Sequence, residues 1–241
     1  MLNYRDMSVA DLLALAPPGW GGVLLDGLWL SLQVAGAGYI IGLLIGGSGA
    51  LLKISGGPLT RDLLTCYTTL VRSIPELVLI LLIYFAGPVA LNQLLSALGL
   101  PKIEISPLVA GITVIALVQG AYITEVVRGA IEAIPVGHIE AARSLGMRPF
   151  TIFRRITLPE LLPTALPGLS NLWLIATKDT ALLAVVGFSE LTLVARQAAA
   201  TTKHHLLFLC AAGLLYLIVS VISNWLFRRL ENRVNRGQSH V

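Results

Sequence analysis

Five long apolar runs constrain this chain more than any other feature. They lie at about residues 24–52, 63–90, 107–127, 161–188 and 206–227. A helix crosses the hydrocarbon core of a bilayer with roughly 20 mainly apolar residues, so each run is long enough to span. The runs are continuous and do not alternate at period two, which excludes the strands of an outer-membrane barrel. The expected fold class is all-α integral membrane, with about five transmembrane helices. Composition agrees: 56% of the 241 residues are hydrophobic and 12% are charged, against roughly 25% charged in a soluble domain. The mean hydropathy is +0.81. An ordinary soluble enzyme is excluded, and so is a disordered chain. The two cysteines, Cys66 and Cys210, sit in apolar runs, where a thiol acts as a small hydrophobe rather than as a disulfide partner.

Orientation follows from Lys and Arg in the connections. One side carries Lys53, Arg61, Arg128, Arg143, Arg148, Arg154, Arg155, Arg228, Arg229, Arg233 and Arg236; the other carries Arg5, Lys102, Arg196 and Lys203. This bias places the connection between spans three and four, and the C-terminus, in the cytoplasm, with the N-terminus periplasmic. Residues 1–20 read as an extracytoplasmic leader, a short amphipathic surface segment. Arg5, Asp6 and Asp11 keep it from being a cleavable signal. Residues 21–230 form the transmembrane domain and 231–241 a basic cytoplasmic tail that suits anionic lipid. The net charge of +4 reflects this asymmetry, not a nucleic-acid surface. Gly38, Gly42 and Gly46 place a smooth groove on one face of span one, for packing within the chain or against another subunit.

Several chemistries lack their residues. There is no phosphate loop of the Gly-x-x-x-x-Gly-Lys-Ser/Thr kind, so the chain should not hydrolyse ATP by itself. There is no His-Glu-x-x-His; the adjacent His204 and His205 cannot share a helix face, and His138 and His240 stand alone, so no zinc site is expected. A Gly-x-Ser-x-Gly elbow is also missing. No bound cofactor is expected on this chain.

The connection at about 133–160 is the longest polar one. Pro135 can open a helix, Glu140 to Leu145 favour it, and Gly146 is placed to end it with positive φ. Pro149 can open a second helix, and Pro159 marks the return to the membrane. The segment is therefore a compact helix–turn–helix at the cytoplasmic face.

Glu140-Ala141-Ala142, three residues, Gly146, nine residues, then Ile156-Thr157-Leu158-Pro159 resembles the EAA loop of ABC importer permeases. The stretches 67–77 and 120–129 and the run Lys178-Asp179-Thr180-Ala181-Leu182 are similar to the polar amino-acid uptake branch, especially its histidine, lysine/arginine/ornithine and opine permease subunits. The resemblance runs from about residue 20 to the end. It implies the type I permease fold in a bacterial inner membrane, with Glu140, Ala141, Ala142, Gly146, Ile156, Leu158 and Pro159 in a loop that docks on an ATPase. It also implies a second permease subunit (a sibling or a copy of this chain), two ATP-binding cassette subunits that use ATP and Mg, and an extracytoplasmic solute-binding protein. The substrate it implies is a polar, in particular basic, amino acid or an opine. Asp179 departs from the small polar or amide residue that relatives often carry there. A rival from the residues alone is an amino-acid transporter driven by an ion gradient; the odd span number and the lack of an inverted repeat speak against it.

Ionisable groups within spans mark functional candidates. Arg72 and Glu76 flank Pro75 on one expected face of span two, either binding a zwitterion at a kink or neutralising each other. Glu125 and Arg128 read as an interfacial ion pair. Lys178 and Thr180 bound a polar interruption of span four, which must line a cavity or be buried in protein.

Overall fold

The computed structural model describes residues 7–235; the expectations for Arg5, Asp6, Arg236 and His240 lie outside the described residues. A single turn, α1 (Val9–Leu12), opens with Ser8, whose Oγ accepts from Asp11 N at 3.2 Å. The first apolar run then folds as α2 (Gly21–Ser55). Gly56 and Gly57 end it, and Pro58 starts α3 (Pro58–Ser73) in the first-turn position that needs no N–H. The later elements are α4 (Glu76–Ala97) and α5 (Pro107–Glu132), then α6 (Val136–Ser144), α7 (Pro149–Val186), α8 (Leu191–Thr202) and α9 (His205–Val234). Among them α2, α4, α5, α7 and α9 are long and apolar enough to cross a membrane, as the five runs require.

The second run is not one kinked helix. Ile74 (φ −92°, ψ 137°) and Pro75 (φ −54°, ψ 133°) are extended, so α3 stops and α4 begins anew at Glu76. Proline crowds the preceding residue out of the helical region, and here that crowding breaks the helix. The α3 segment carries Thr60, Arg61, Asp62, Thr65 and Thr68, too polar for a span. The membrane-crossing length is made up after Glu76, through a wide π turn at Leu82–Ala86.

Span four also begins earlier than expected. Its helix starts at Pro149 and passes through a π turn at Phe153–Thr157, in which Leu158 N–H bonds the Phe153 carbonyl five residues back. Pro159 thus sits inside α7 and does not mark its start. The widened turn accommodates a proline that would clash with the carbonyl four residues before it. Pro163 and Pro167 follow at four-residue spacing. At Thr180 the helix tightens into a 3-10 segment that runs to Val186. A further helix, α8, which the apolar pattern does not announce, returns between spans four and five. Its Leu191, Val194, Ala195, Ala198 and Ala199 pack with Leu12, Leu24 and Phe208.

The centre of the bundle is the parallel pair α2 and α5. Ideal Cβ atoms at Gly38, Gly42 and Gly46 would stand 2.8, 3.1 and 2.5 Å from Ile115, Gln119 and Ile123 respectively. Both partners advance by four residues at each step, so the glycine groove seats a ridge of α5 within this chain. Val34, Tyr39, Val114, Ile115 and Ile123 join Ile80 of α4 with Leu172, Ala176 and Leu183 of α7 in the core. Tyr39 Oη donates to the Leu169 carbonyl at 2.7 Å, which ties α2 to α7.

Candidate functional site

Two groups of sequence-predicted residues occupy different levels of the bundle. The first is the connection between α5 and α7. Helix α6 ends in a Schellman turn: Gly146 N–H bonds Arg143 O (2.9 Å) and Met147 N–H bonds Ala142 O (3.1 Å), with Gly146 at φ +72°. Local sequence produces this turn, since only the residue without a Cβ takes that φ freely. Ala142 is buried, whereas Glu140, Ala141 and Gly146 face outward. Helix α6 leans on the first turns of α7. Ile156 is partly buried, and Leu158 packs on the cluster of Ala130, Ile134, Leu161 and Ala165; Pro159 is exposed. His138 does not stand alone: its Nδ1 lies 2.9 Å from the Glu160 carboxylate, which joins the start of α6 to α7.

The second group surrounds the α3–α4 break. Helix α4 meets α5 and the Thr180–Val186 segment. This brings Glu76, partly exposed, within electrostatic reach of Tyr122 and Asp179. Arg72 Cζ lies 6.0 Å from the centre of the Tyr122 ring. Thr180 is fully buried and donates to Thr177 O at 2.8 Å, whereas Lys178 points outward. Asp179, which the sequence marks only as a departure, is buried and accepts from Gln119 Nε2 at 3.3 Å. Among the described residues the buried Gln119 Oε1 has no hydrogen-bond partner. Tyr122 is ten residues before the end of α5 at Glu132, about 15 Å along the helix axis at its usual rise.

The expected pairing of Arg72 with Glu76 is not present. The break turns the two residues onto separate helices, and Arg72 faces Glu125 across 3.9 Å. Glu125 takes Lys53 at 2.7 Å and Arg128 at 2.9 Å, so the expected Glu125–Arg128 pair is half of a larger cluster. Sequence reasoning misses a further carboxylate, Glu190. It is completely buried and accepts from Leu193 N (2.9 Å) and Tyr216 Oη (2.8 Å), with Ser31 Oγ at 3.3 Å. Its position three residues before Leu193, at the start of α8, is the available signal, since an acidic N-cap satisfies free helical N–H groups.

Residues 38–236 match the family described as the binding-protein-dependent transport system inner membrane component. The chain belongs to this family. Among its relatives is the histidine/lysine/arginine/ornithine transport system permease protein HisQ of Salmonella typhimurium, 39% identical over 219 residues, 91% of this chain and 96% of that one. The nopaline transport system permease protein NocQ of Agrobacterium fabrum is 39% identical over 228 residues, 94% of this chain and 97% of its own length. In three dimensions the chain is similar to a crystallised amino acid ABC transporter with histidines (TM-score 0.75, 28% identity, 89% of this chain and 95% of that one). It also shares the fold of the MetNI methionine ABC transporter (TM-score 0.72, 23% identity, 89% and 97% covered). This permease is thus the inner-membrane component of an ATP-driven, binding-protein-dependent importer, and a gradient-driven carrier is not favoured.

Proposed function

We propose that this permease imports basic amino acids or opines and that α6, with its closing turn at Gly146, docks on a separate ATPase subunit. The observation that carries the reading is the outward presentation of Glu140 and Ala141 on a short helix buried only through Ala142. A helix held by a closed turn and by the His138–Glu160 contact transmits a push to α5 and α7, between which it lies. The basic residues of this end, Arg143, Arg148, Arg154 and Arg155, favour a cytoplasmic position for it, with the N-terminus periplasmic. The partners are a second permease subunit, two ATP-binding cassette subunits that use ATP and Mg, and an extracytoplasmic binding protein.

The solute class rests on two supports. The named substrates of HisQ and NocQ are basic amino acids and nopaline. Glu76 also places a partly exposed carboxylate near the α3–α4 break, which favours a cationic side chain over an acidic one. Arg72 is the group for a solute carboxylate, with Lys178 and Thr180 at the polar interruption of α7 completing the pathway. The test is reconstitution of the complex in vesicles with its binding protein. Uptake of arginine, lysine or an opine that needs ATP inside and stops with vanadate supports the reading. Uptake that persists without ATP but follows an imposed ion gradient refutes it.

A further inference from the structure

The cytoplasmic third of the bundle holds an ion cluster that shares only Arg72 with the solute pathway and that the coupling loop does not explain. Glu125 on α5 sits at its centre, with its side chain 16% exposed, and gathers cations from three helices. Lys53, from the last turn of α2, reaches Glu125 Oε1 at 2.7 Å and Thr68 Oγ1 of α3 at 3.3 Å. Arg128, one turn along α5, gives Glu125 Oε2 both Nε (3.1 Å) and Nη2 (2.9 Å), and its Nη1 reaches Glu132 at 2.6 Å. Arg72, two residues before the broken Ile74–Pro75 segment, stands off at 3.9 Å.

The cluster therefore has a tight part and a loose part. Lys53, Glu125, Arg128 and Glu132 are within hydrogen-bond distance of one another in a chain. Arg72 makes no hydrogen bond to Glu125, is half exposed and also stands over the Tyr122 ring. Glu132 is the last residue of α5, with Ala133 to Pro135 leading into α6. One continuous set of contacts thus connects the α3–α4 break to the root of the coupling helix. Any motion of α3 against α5 must carry Arg72 toward or away from Glu125. Because Lys53 and Arg128 stay bonded to Glu125, Arg72 can leave without stranding a partly buried charge, so this is the contact of the cluster that is free to break.

We propose that Glu125 is a positioning residue that latches the cytoplasmic ends of α2, α3 and α5 in the resting transporter, and that release of Arg72 from it is coupled to movement of α6. This inference rests on the docking role proposed above for α6. Glu125 does not touch solute; it acts through Arg72 and through Arg128 and Glu132.

The experiment measures ATPase activity of the complete complex in vesicles with and without solute-loaded binding protein, for wild type, Glu125→Gln, Glu125→Asp and Arg72→Gln. Removing the latch should raise the unstimulated rate and lower the ratio of stimulated to unstimulated activity by about 2- to 30-fold, the range for residues that carry coupling between sites. Glu125→Asp keeps the charge and should restore most of the ratio. Arg72→Gln removes the loose contact of a half-exposed side chain, so it should assemble even if Glu125→Gln does not; because Arg72 also has the solute role proposed above, its latch effect is read in the unstimulated rate, which should rise as in Glu125→Gln. Thermal stability of each complex is read in parallel. A stimulated wild type whose unstimulated rate is unchanged in Arg72→Gln, or whose ratio is unchanged in Glu125→Gln where that variant assembles, overturns the latch alone. The latch is likewise overturned if Glu125→Asp is as uncoupled as Glu125→Gln. A wild-type complex with no stimulation by binding protein overturns the docking role and the latch with it.

Discussion

Substituting Gly46 by alanine should force α2 away from α5, while the same substitution one residue on should not. A Cβ on Gly46 would lie 2.5 Å from both Cβ and Cγ2 of Ile123 and 2.9 Å from the Gly120 carbonyl oxygen. Non-bonded carbons rest about 3.5–4.0 Å apart, so the helices must separate locally by about 1 Å or Ile123 must leave its place. Ile123 is completely buried and Gly120 offers backbone, which has no rotamer to change. Overpacking of this kind costs about 1–3 kcal/mol. Against it stands the gain of about 1 kcal/mol from replacing glycine inside a helix. Gly47→Ala removes that ambiguity, because nothing lies within 4 Å of its Cβ position. Both variants share the backbone gain, so their difference isolates the packing term. At about 2–4 °C per kcal/mol for a chain of this size, Gly46→Ala should unfold about 2–12 °C below Gly47→Ala. The assay is a melting curve of the purified complex in one detergent, with Gly36→Ala, also in open space, as a second control. A Gly46→Ala variant as stable as Gly47→Ala would refute the close approach of α2 and α5.

Other outcomes follow from single sites. Gly146→Val should leave insertion intact but abolish the ATPase response to binding protein, because φ +72° with open space around it makes the cost purely one of backbone; Gly146→Asn should keep most of it. Glu140→Lys should weaken recovery of the ATPase subunit in a pull-down, since this side chain faces outward. Glu190→Ala should lower stability of the complex by about 2–5 kcal/mol, because the partly buried Leu193 N–H and Tyr216 Oη would lose their acceptor; Tyr216→Phe should cost less in the same melt. Glu76→Gln should reduce transport of arginine or lysine more than that of glutamine in vesicles; an equal loss for all solutes would assign Glu76 to packing.

What is legible in the sequence is local or periodic. The turn at Gly146 needs only a helix-forming stretch and a glycine, and its hydrogen bonds close within five residues. The row of Gly38, Gly42 and Gly46 announces a close helix contact, although only the structure names Ile115, Gln119 and Ile123 as its occupants. The break at Pro75 looks like a kink in the sequence because hydropathy averages across it. Extended Ile74 and the polar character of α3 decide the matter, since a segment rich in threonine with Arg61 and Asp62 gains nothing from the bilayer and the span can be completed beyond Glu76 instead. Helix α8 escapes notice because four of its six buried residues are alanine or threonine in a polar-flanked run, which carries little hydropathic signal.

The charged residues are harder, for a physical reason. A carboxylate within a bundle must find donors or cations, but sequence spacing suggests only partners on its own helix. Arg72 and Glu76, four apart, are the obvious pair on a continuous helix. Once the helix breaks, four residues no longer means one face, and Arg72 turns to a carboxylate 53 positions away. Glu125 is 72 positions from Lys53 and Glu190 is 159 from Ser31. These contacts exist only after α2 and α5 lie side by side and α8 folds back on α2. Glu76, no longer opposite Arg72, lies instead within electrostatic reach of Tyr122 on α5 and Asp179 on α7, two partners that no spacing along its own helix could suggest.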